Sequence, residues 1–304
     1  MKNRNFRELL ENQWSQGKFV CVGLDSDFVQ LPKGTDYYVL MKDENVEDLN
    51  GQLAFNAKIV DATRDLVCAY KPNMAFYEAY GNKGVQALYY TIRYIHDVAP
   101  DVPVILDAKR ADIGSTNNGY VQMAFDYLQA DAITVHPYLG QEALQPFLEC
   151  KNKGIIVLCR TSNPGAGEFQ DLEVRKRNDL SHLHPEDDQW ENLYEYVARQ
   201  VANKWNKNGN CALVVGATYP DELAEVRKII GNMPILIPGV GFQQKGVPLE
   251  KQVEQAVFAG RDSQGEGMII NSSRGIIFAS KGADFAEAAR RETLNLNNLI
   301  NYFR

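Results

Sequence analysis

Eight short apolar runs divide the chain, and they restrict its fold more than any other feature. The runs are FVCVGL, LVCAY, VPVIL, AITV, GIIVLC, CALVV, PILIP and GMII, and they begin at residues 19, 66, 102, 132, 154, 211, 234 and 267. Each is continuously apolar, without the polar alternation of a half-exposed strand. Such runs indicate strands that are buried on both faces, which is typical of a parallel sheet.

The segments between the runs have the periodicity and the end signals of helices. In TYPDELAEVRKIIG, Thr218 occupies the predicted N-cap position, Pro220 the first turn and Gly231 the stop. Eight strands that alternate with helices predict a TIM barrel of the (β/α)8 type. A doubly wound open sheet is the alternative, but it would usually carry GxGxxG after its first strand, and DSDFVQLPKG stands there instead.

The length suits one barrel domain. A chain of 304 residues with 45% apolar side chains can bury a large core, so we predict a single domain over residues 1–304. Residues 28–50 and 167–190 are longer and more polar than ordinary connections, which indicates two inserted loops. The second loop contains the pair His182 and His184, but a third ligand is not identifiable for them, so a solvated lid is favoured over a metal site.

Charge and composition exclude several classes of partner. The formal net charge is −7, and no block of Lys and Arg stands out, which argues against nucleic acid and anionic membranes as partners. The amino terminus has no signal-peptide pattern, and no stretch reaches eighteen apolar residues, so a cytoplasmic protein is expected. The five cysteines lack CxxC spacing and are predicted to be mostly buried, reduced thiols.

Charged and polar residues follow the apolar runs directly. Asp25 follows the first run, Lys71 the second, Asp107 and Lys109 the third, and Ser162 lies just beyond the fifth. In a TIM barrel the active site lies at the carboxyl ends of the strands, where these residues would meet. The sequence therefore predicts a strongly charged site at that end.

The densest part of this set is DAKRADIGST, residues 107–116. Because side chains alternate along a strand, Asp107 and Lys109 should share a face, whereas Asp112 lies in the loop and could join its own site or a neighbouring subunit's. A salt-bridge network that seals the barrel is the structural alternative. Bringing these charges together with Lys71 would carry a large desolvation free energy and stabilise the fold only modestly. A catalytic lysine that carboxylates hold protonated is therefore favoured.

Two glycine-bearing segments end the barrel pattern. PGVGFQQKG follows the seventh run, and NSSRG, with Arg274, follows the eighth. Barrels commonly bind phosphate at these two positions, through backbone N–H groups and an arginine. A phosphorylated small molecule is the expected ligand.

Together these motifs resemble the orotidine 5′-monophosphate decarboxylase family, in its longer bacterial subgroup. DAKRADIGST matches the family's Asp-x-Lys-x-x-Asp-Ile signature without a gap, and GLD, YKPN, TSNPGA, PGVGFQ and SSRG are supporting matches. The resemblance covers nearly the whole barrel. It implies decarboxylation of orotidine 5′-monophosphate to uridine 5′-monophosphate, the last step of de novo pyrimidine nucleotide biosynthesis, with no cofactor and no metal.

The resemblance also implies roles at the reacting carbon and across a subunit interface. Lys109 would donate the proton to C6 of the pyrimidine, and Asp107 would lie against the departing carboxylate. Asp112 would come from the partner subunit of a homodimer. Ile113 would lie beside it, and Thr116 would hold the ribose in trans.

The remaining implied roles concern the rest of the nucleotide. Lys71 and Asp25 would contact the ribose hydroxyls, and Ser162 would bond to the pyrimidine ring. Gln243 and Arg274 would hold the 5′-phosphate.

Three other functions and one other phosphate contact stay open. Magnesium-dependent sugar-phosphate decarboxylases and hexulose-phosphate synthases share the Asp-x-Lys-x-x-Asp pattern, but they have an acidic metal ligand where this chain has Lys71. A Schiff-base aldolase would need a neutral amine, which flanking carboxylates disfavour. The fold also permits a non-catalytic sensor of phosphorylated ligands. Because two glutamines follow GVGF in the segment QQKG, Gln244 is the alternative to Gln243 as the residue that contacts the phosphate.

Overall fold

The computed structural model of the protein describes residues 4–32, 49–176, 190–241, 244 and 246–304. Eight strands in these ranges form one parallel sheet, and two short strands form a separate antiparallel ribbon. In chain order the strands are β1 Val20–Leu24, β2 Val67–Pro72, β3 Ile105–Arg110, β4 Ala132–Val135, β5 Gly154–Leu158, β6 Glu173–Arg175, β7 Trp190–Asn192, β8 Cys211–Val214, β9 Ile235–Pro238 and β10 Met268–Ser272.

The parallel sheet curves into a barrel. Its order is β2-β1-β10-β9-β8-β5-β4-β3, so each strand lies beside its neighbours in sequence once the β6–β7 ribbon is set aside. The two end strands meet again, because the Tyr70 N–H donates to the Pro103 carbonyl and the Met74 N–H to the Asp107 carbonyl, both at 3.1 Å. This arrangement confirms the predicted TIM barrel.

Helices surround the barrel and connect successive strands. They are α1 Phe6–Ser15, α2 Leu49–Thr63, α3 Ala75–Glu78, α4 Gly81–Val98, α5 Gly114–Val121, α6 Gly140–Leu148, α7 Gly167–Gln170, α8 Leu193–Gln200, α9 Pro220–Ile230, α10 Leu249–Gly260, α11 Arg274–Ile277 and α12 Phe285–Phe303. Among the described helices, none combines the length and the apolar character needed to cross a bilayer. The cytoplasmic location stays a prediction.

The start of α9 differs from the sequence prediction. Thr218 was the expected N-cap, but the helix begins one residue later, at Pro220, with Tyr219 as the cap residue. The Thr218 hydroxyl instead donates to the Ser162 carbonyl at 3.3 Å, so it joins the loop after β5. The stop at Gly231 is confirmed, since its φ of 61° lies in the left-handed region that favours glycine.

The barrel strands are buried as the continuous apolar runs predict. Every residue of β1, β2, β4, β8 and β10 is buried. Outside the barrel, Phe55 of α2 stacks on Phe278 and Phe285 with ring centroids 5.6 and 5.0 Å apart. Four of the five free cysteines are buried in this core and Cys150 is partly buried, in line with their apolar sequence context.

Parts of both predicted insertions can be located. The first includes a 3-10 turn at Phe28–Gln30, and α2 begins at Leu49, inside the range expected to be loop. The second contains α7, and β6 pairs with β7 across the insertion. Residues 33–48 and 177–189, including His182 and His184, lie outside the described residues. The single-domain assignment stays a prediction.

Candidate active site

A cavity of about 400 Å³ opens at the carboxyl ends of the barrel strands. It receives side chains from all eight strands or the loops that follow them. Six of the ten site residues predicted from sequence line it: Asp25, Lys71, Asp107, Lys109, Ser162 and Arg274.

Opposite charges alternate across the floor of this cavity. The Lys71 Nζ lies 2.7 Å from Asp107 Oδ2, and the Lys109 Nζ lies 2.6 Å from Asp107 Oδ1. Asp25 Oδ1 lies 3.9 Å from the Lys71 Nζ on the other side. Each carboxylate oxygen of Asp107 therefore accepts a bond from a different ammonium group.

The two lysines differ in exposure. The Lys71 side chain is 5% exposed, whereas the Lys109 side chain is 51% exposed. Lys71 is thus buried between Asp25 and Asp107, while Lys109 meets Asp107 from the open side of the array. Of the two ammonium groups, that of Lys109 is the one placed to reach a ligand in the cavity.

Mutual attraction keeps the buried pair ionised. Burial acts to raise the pKa of the Asp107 carboxyl, but the Lys71 and Lys109 ammonium groups outweigh it and hold that pKa well below its usual range. Burial acts to lower the pKa of Lys71, but the charges of Asp107 and Asp25 outweigh it and raise that pKa above its usual value. Both groups of the pair are therefore charged at neutral pH.

The backbone of β3 departs from a regular strand where these residues lie. The apolar run ends at Leu106, and the strand continues through residues 107–110. Its pairing with β4 is shifted between Leu106 and Arg110, and Lys109 has a φ of 46°. A non-glycine residue in the left-handed region costs roughly 1–2 kcal/mol, so the surrounding bonds must hold it there.

The loop after β5 places Ser162 on another wall of the cavity. Ser162 lies against Gly216, at which an added Cβ would be only 2.6 Å from the Ser162 Cα. The first residues of the second insertion hold the same loop, because the Thr161 N–H donates to Gln170 Oε1 at 2.8 Å. Gln170 also lines the cavity. Sequence reasoning missed this residue because it treated the insertion as a separate lid.

Arg160 ties the base of this loop to its neighbours. Its guanidinium lies 3.7 Å from the centre of the Tyr219 ring, and its Nε lies 2.7 Å from Asp171 Oδ1. Arg160 is 2% exposed, so its charge is compensated within the protein. Arg160 lies just beyond the end of β5, but it is not among the residues that line the cavity, and its contacts support the loop from behind.

The wall expected to bind phosphate follows β9 and β10. Gly239 and Gly241 have φ values of 102° and 92°, which only glycine adopts readily, and Arg274 begins α11. Gln243 lies outside the described residues. The alternative, Gln244, donates its Nε2 to the Ala217 carbonyl at 3.0 Å, so that its amide is already engaged by the protein.

Three predicted site residues are not among those that line this cavity in the same chain. Asp112 Oδ1 accepts the Ile113 N–H at 2.6 Å, and the Ile113 side chain is 60% exposed. Thr116 lines a different cavity, of about 480 Å³, on the outer side of β3. None of the three therefore belongs to the lining of the cavity that holds the charge array of its own chain.

Thr134 and Asn271 line the cavity but were not predicted. Both are polar residues within buried strands, β4 and β10. The available signals were a hydroxyl inside an apolar run at Thr134 and an amide directly after one at Asn271, because such groups need a partner when they are buried.

The fold and the site define a class of protein: a (β/α)8-barrel protein with an alternating lysine and carboxylate array at the carboxyl face of its strands. Comparison with known proteins gives the family. The family model described as "Orotidine 5'-phosphate decarboxylase / HUMPS family" matches residues 19–291, and the chain belongs to this family.

Individual relatives agree with that assignment. The orotidine 5'-phosphate decarboxylase of Ralstonia pickettii (strain 12J) is 44% identical over 301 residues, which cover 98% of this chain and 99% of the relative. The solved OMP decarboxylase of Leishmania donovani has a TM-score of 0.74 and 34% identity over 97% of this chain and 98% of its own. The Leishmania donovani UMP synthase has a TM-score of 0.78 and 34% identity, and this chain covers 56% of its length.

Proposed function

We propose that the protein converts orotidine 5′-monophosphate to uridine 5′-monophosphate and carbon dioxide, the last step of de novo pyrimidine nucleotide biosynthesis. The proposal includes a lysine proton donor and no metal or organic cofactor. The observation that carries it is the array of Asp25, Lys71, Asp107 and Lys109 in one cavity. Two relatives named orotidine 5'-phosphate decarboxylase, which are 44% identical over nearly the whole chain, support it.

The cavity offers groups for each part of the nucleotide. Arg274 binds the phosphate, Asp25 and Lys71 bind the ribose hydroxyls, and Ser162 binds the pyrimidine ring. Gln243, which lies outside the described residues, is the second phosphate contact that we propose. The reacting carbon then faces Lys109 and Asp107. Binding energy gained at the remote phosphate can be used to close loops and order the reacting groups.

Lys109 acts on the charge that develops at C6. When the bond to the carboxylate carbon breaks, its electron pair stays on C6, where the ring provides no ready electron sink. The Lys109 ammonium stabilises that charge and then transfers a proton from Nζ to C6. Asp107 accepts a hydrogen bond from the Lys109 Nζ at 2.6 Å and lies against the departing carboxylate.

The donor set of the site favours chemistry without a metal. Both oxygens of Asp107 already accept bonds from ammonium groups, and Lys71 stands at the end of β2, where a cation would meet repulsion. A divalent ion bound to this carboxylate would lie beside both ammonium groups and would be repelled by them. This arrangement favours the decarboxylase over a magnesium-dependent sugar-phosphate enzyme.

We also propose a homodimer in which Asp112, Ile113 and Thr116 complete the site of the partner subunit. None of the three is among the residues lining the cavity of its own chain. Exposed apolar side chains support a covered face: Ile113 is 60% exposed, and Tyr138 and Leu139 are 85% and 45% exposed.

The direct test is decarboxylation by protein treated with a chelator. Ultraviolet absorbance of orotidine 5′-monophosphate, followed over time, should change to that of uridine 5′-monophosphate at the same rate with and without the chelator. Folded protein that converts this substrate only after magnesium is added would contradict the cofactor-free mechanism. Folded, dimeric protein with no conversion under either condition would contradict the proposed function.

Arg274→Ala should weaken binding of phosphate-bearing ligands selectively. Loss of a charge-assisted hydrogen bond should cost about 1.5–3 kcal/mol of binding free energy for uridine 5′-monophosphate, and little for uridine. Calorimetric titration of both ligands measures the difference. Arg291→Ala, which alters an exposed arginine on α12, is the control. Equal losses for nucleotide and nucleoside would place Arg274 away from the phosphate.

A further inference from the structure

Thr134 lies opposite the irregular part of β3. The pairing between the strands joins Leu106 to Ile133 and then Arg110 to Val135, so that residues 107–109 all face Thr134 alone. A regular ladder would place one residue of β3 there. Two extra residues leave main-chain N–H groups without strand partners inside the barrel, where an unpaired N–H is costly.

The Thr134 hydroxyl satisfies those groups. Its Oγ1 accepts the N–H groups of Ala108 and Lys109, both at 3.0 Å, and donates to Asp107 Oδ1 at 2.9 Å. A hydroxyl has one hydrogen to donate and two lone pairs to accept with, so its capacity is fully used. Thr134 is 1% exposed, and water therefore does not compete for these bonds.

These bonds reach Lys109 at both of its ends. At the main chain, the hydroxyl binds the N–H of a residue whose φ is 46°. At the side chain, it binds the same Asp107 oxygen that accepts from the Lys109 Nζ at 2.6 Å. A shift of the hydroxyl would therefore move the lysine backbone and the carboxylate that aims its ammonium.

We propose that Thr134 is a positioning residue for proton delivery, which holds the bulge of β3 and the Asp107 carboxylate so that Lys109 points into the cavity. This inference rests on the proposed function of the site. The presence of a threonine, rather than an apolar residue, at position 134 supports this inference. β4 is otherwise Ala, Ile and Val, and valine would fill the same space without burying a hydroxyl.

Thr134→Val tests this role, since it keeps the shape and removes all three bonds. Loss of bonds in a buried, charged network should lower kcat about 10- to 100-fold, with the affinity for uridine 5′-monophosphate changed less than about threefold. Thr134→Ser keeps the hydroxyl and should retain nearly full kcat. Thr293→Val, which removes a buried hydroxyl that bonds to the Ala289 carbonyl on α12, is the matched control and should leave kcat unchanged.

A second readout separates positioning from general support of the fold. Exchange of the C6 hydrogen of uridine 5′-monophosphate in deuterated water reverses the proton transfer and involves no decarboxylation. In Thr134→Val it should slow in parallel with kcat, because the same lysine delivers the proton. Thr134→Ala has the same expected outcome and takes the place of the valine variant if that variant does not fold.

Other results would overturn the inference. Unchanged kcat and exchange in a folded variant with lowered Tm would give Thr134 a purely structural role. Loss of nucleotide affinity at unchanged kcat would make it a ligand contact. An active wild type with an unimpaired Thr134→Val variant would overturn this inference alone, whereas a wild type that does not decarboxylate orotidine 5′-monophosphate would overturn the proposed function as well.

Discussion

Lys109→Ala is expected to abolish decarboxylation while the protein still binds the product nucleotide. The variant loses both the proton donor and the cation that stabilises charge at C6, so kcat should fall by at least about 10⁴-fold. Asp107 keeps its bond to Lys71, at 2.7 Å, and therefore remains ionised in its place. Single-turnover kinetics and calorimetric titration with uridine 5′-monophosphate measure the two effects.

The control for this experiment is Lys228→Ala on the exposed face of α9, where the lysine side chain is 68% exposed. It should have the kcat of the wild type. A large loss of nucleotide affinity in Lys109→Ala, comparable to the loss of kcat, would contradict the role of proton donor.

The same variant distinguishes the other two classes of function. A sensor would show a loss of binding and no catalytic activity to lose. A Schiff-base aldolase would be trapped by borohydride in the presence of a ketone substrate, and Lys109→Ala or the corresponding change at Lys71 would prevent trapping. The pKa of Lys71 is raised by Asp107 and Asp25, even though burial opposes it, and this disfavours the neutral amine that such trapping requires.

Mixing two inactive variants is expected to restore activity if Asp112 acts across the dimer. In a hybrid of Asp112→Ala and Lys109→Ala subunits, one site receives both intact residues and the other receives neither. Random exchange between equal amounts of two subunits related by a twofold axis should give about a quarter of wild-type activity. Decarboxylation after confirmed subunit exchange is the measurement.

A double variant provides the matched control. Exchange of wild-type subunits with an equal amount of subunits that carry both Asp112→Ala and Lys109→Ala gives hybrids without an intact site. The activity of the mixture should therefore fall to about half of its value before exchange. If Asp112 acted within its own chain, the same exchange would leave wild-type activity unchanged, and the two single variants would not restore each other.

The limits of sequence interpretation show most clearly at β3. The expected alternation of side chains placed Asp107 and Lys109 on a regular strand, but the strand, which extends to Arg110, has a shifted register between Leu106 and Arg110. Asp107 and Lys109 can lie in the strand because groups on other strands neutralise their charge or bond to them. The apolar pattern of the sequence does not show which groups on other strands these are. The N-cap of α9 was misplaced for a similar reason, since the Thr218 hydroxyl has a tertiary partner, the Ser162 carbonyl.

The sequence by itself determined the barrel and the identity of the charges at its mouth. Each strand is a contiguous apolar run, and in a barrel the residues just beyond the runs converge, so local pattern and a general rule of the fold suffice for Asp25, Lys71, Asp107 and Lys109. These are the residues on which the proposed chemistry depends.

Only the tertiary structure decided how those charges are held. Thr134 faces a bulge whose residues lie 25 to 27 positions away in sequence, and Gln170 of the insertion bonds to the loop that carries Ser162. Such bonds follow from strand register and loop packing, which no local pattern encodes. The separation of Asp112 from its own cavity has the same origin, because the direction of a loop beyond a strand end depends on what packs around it.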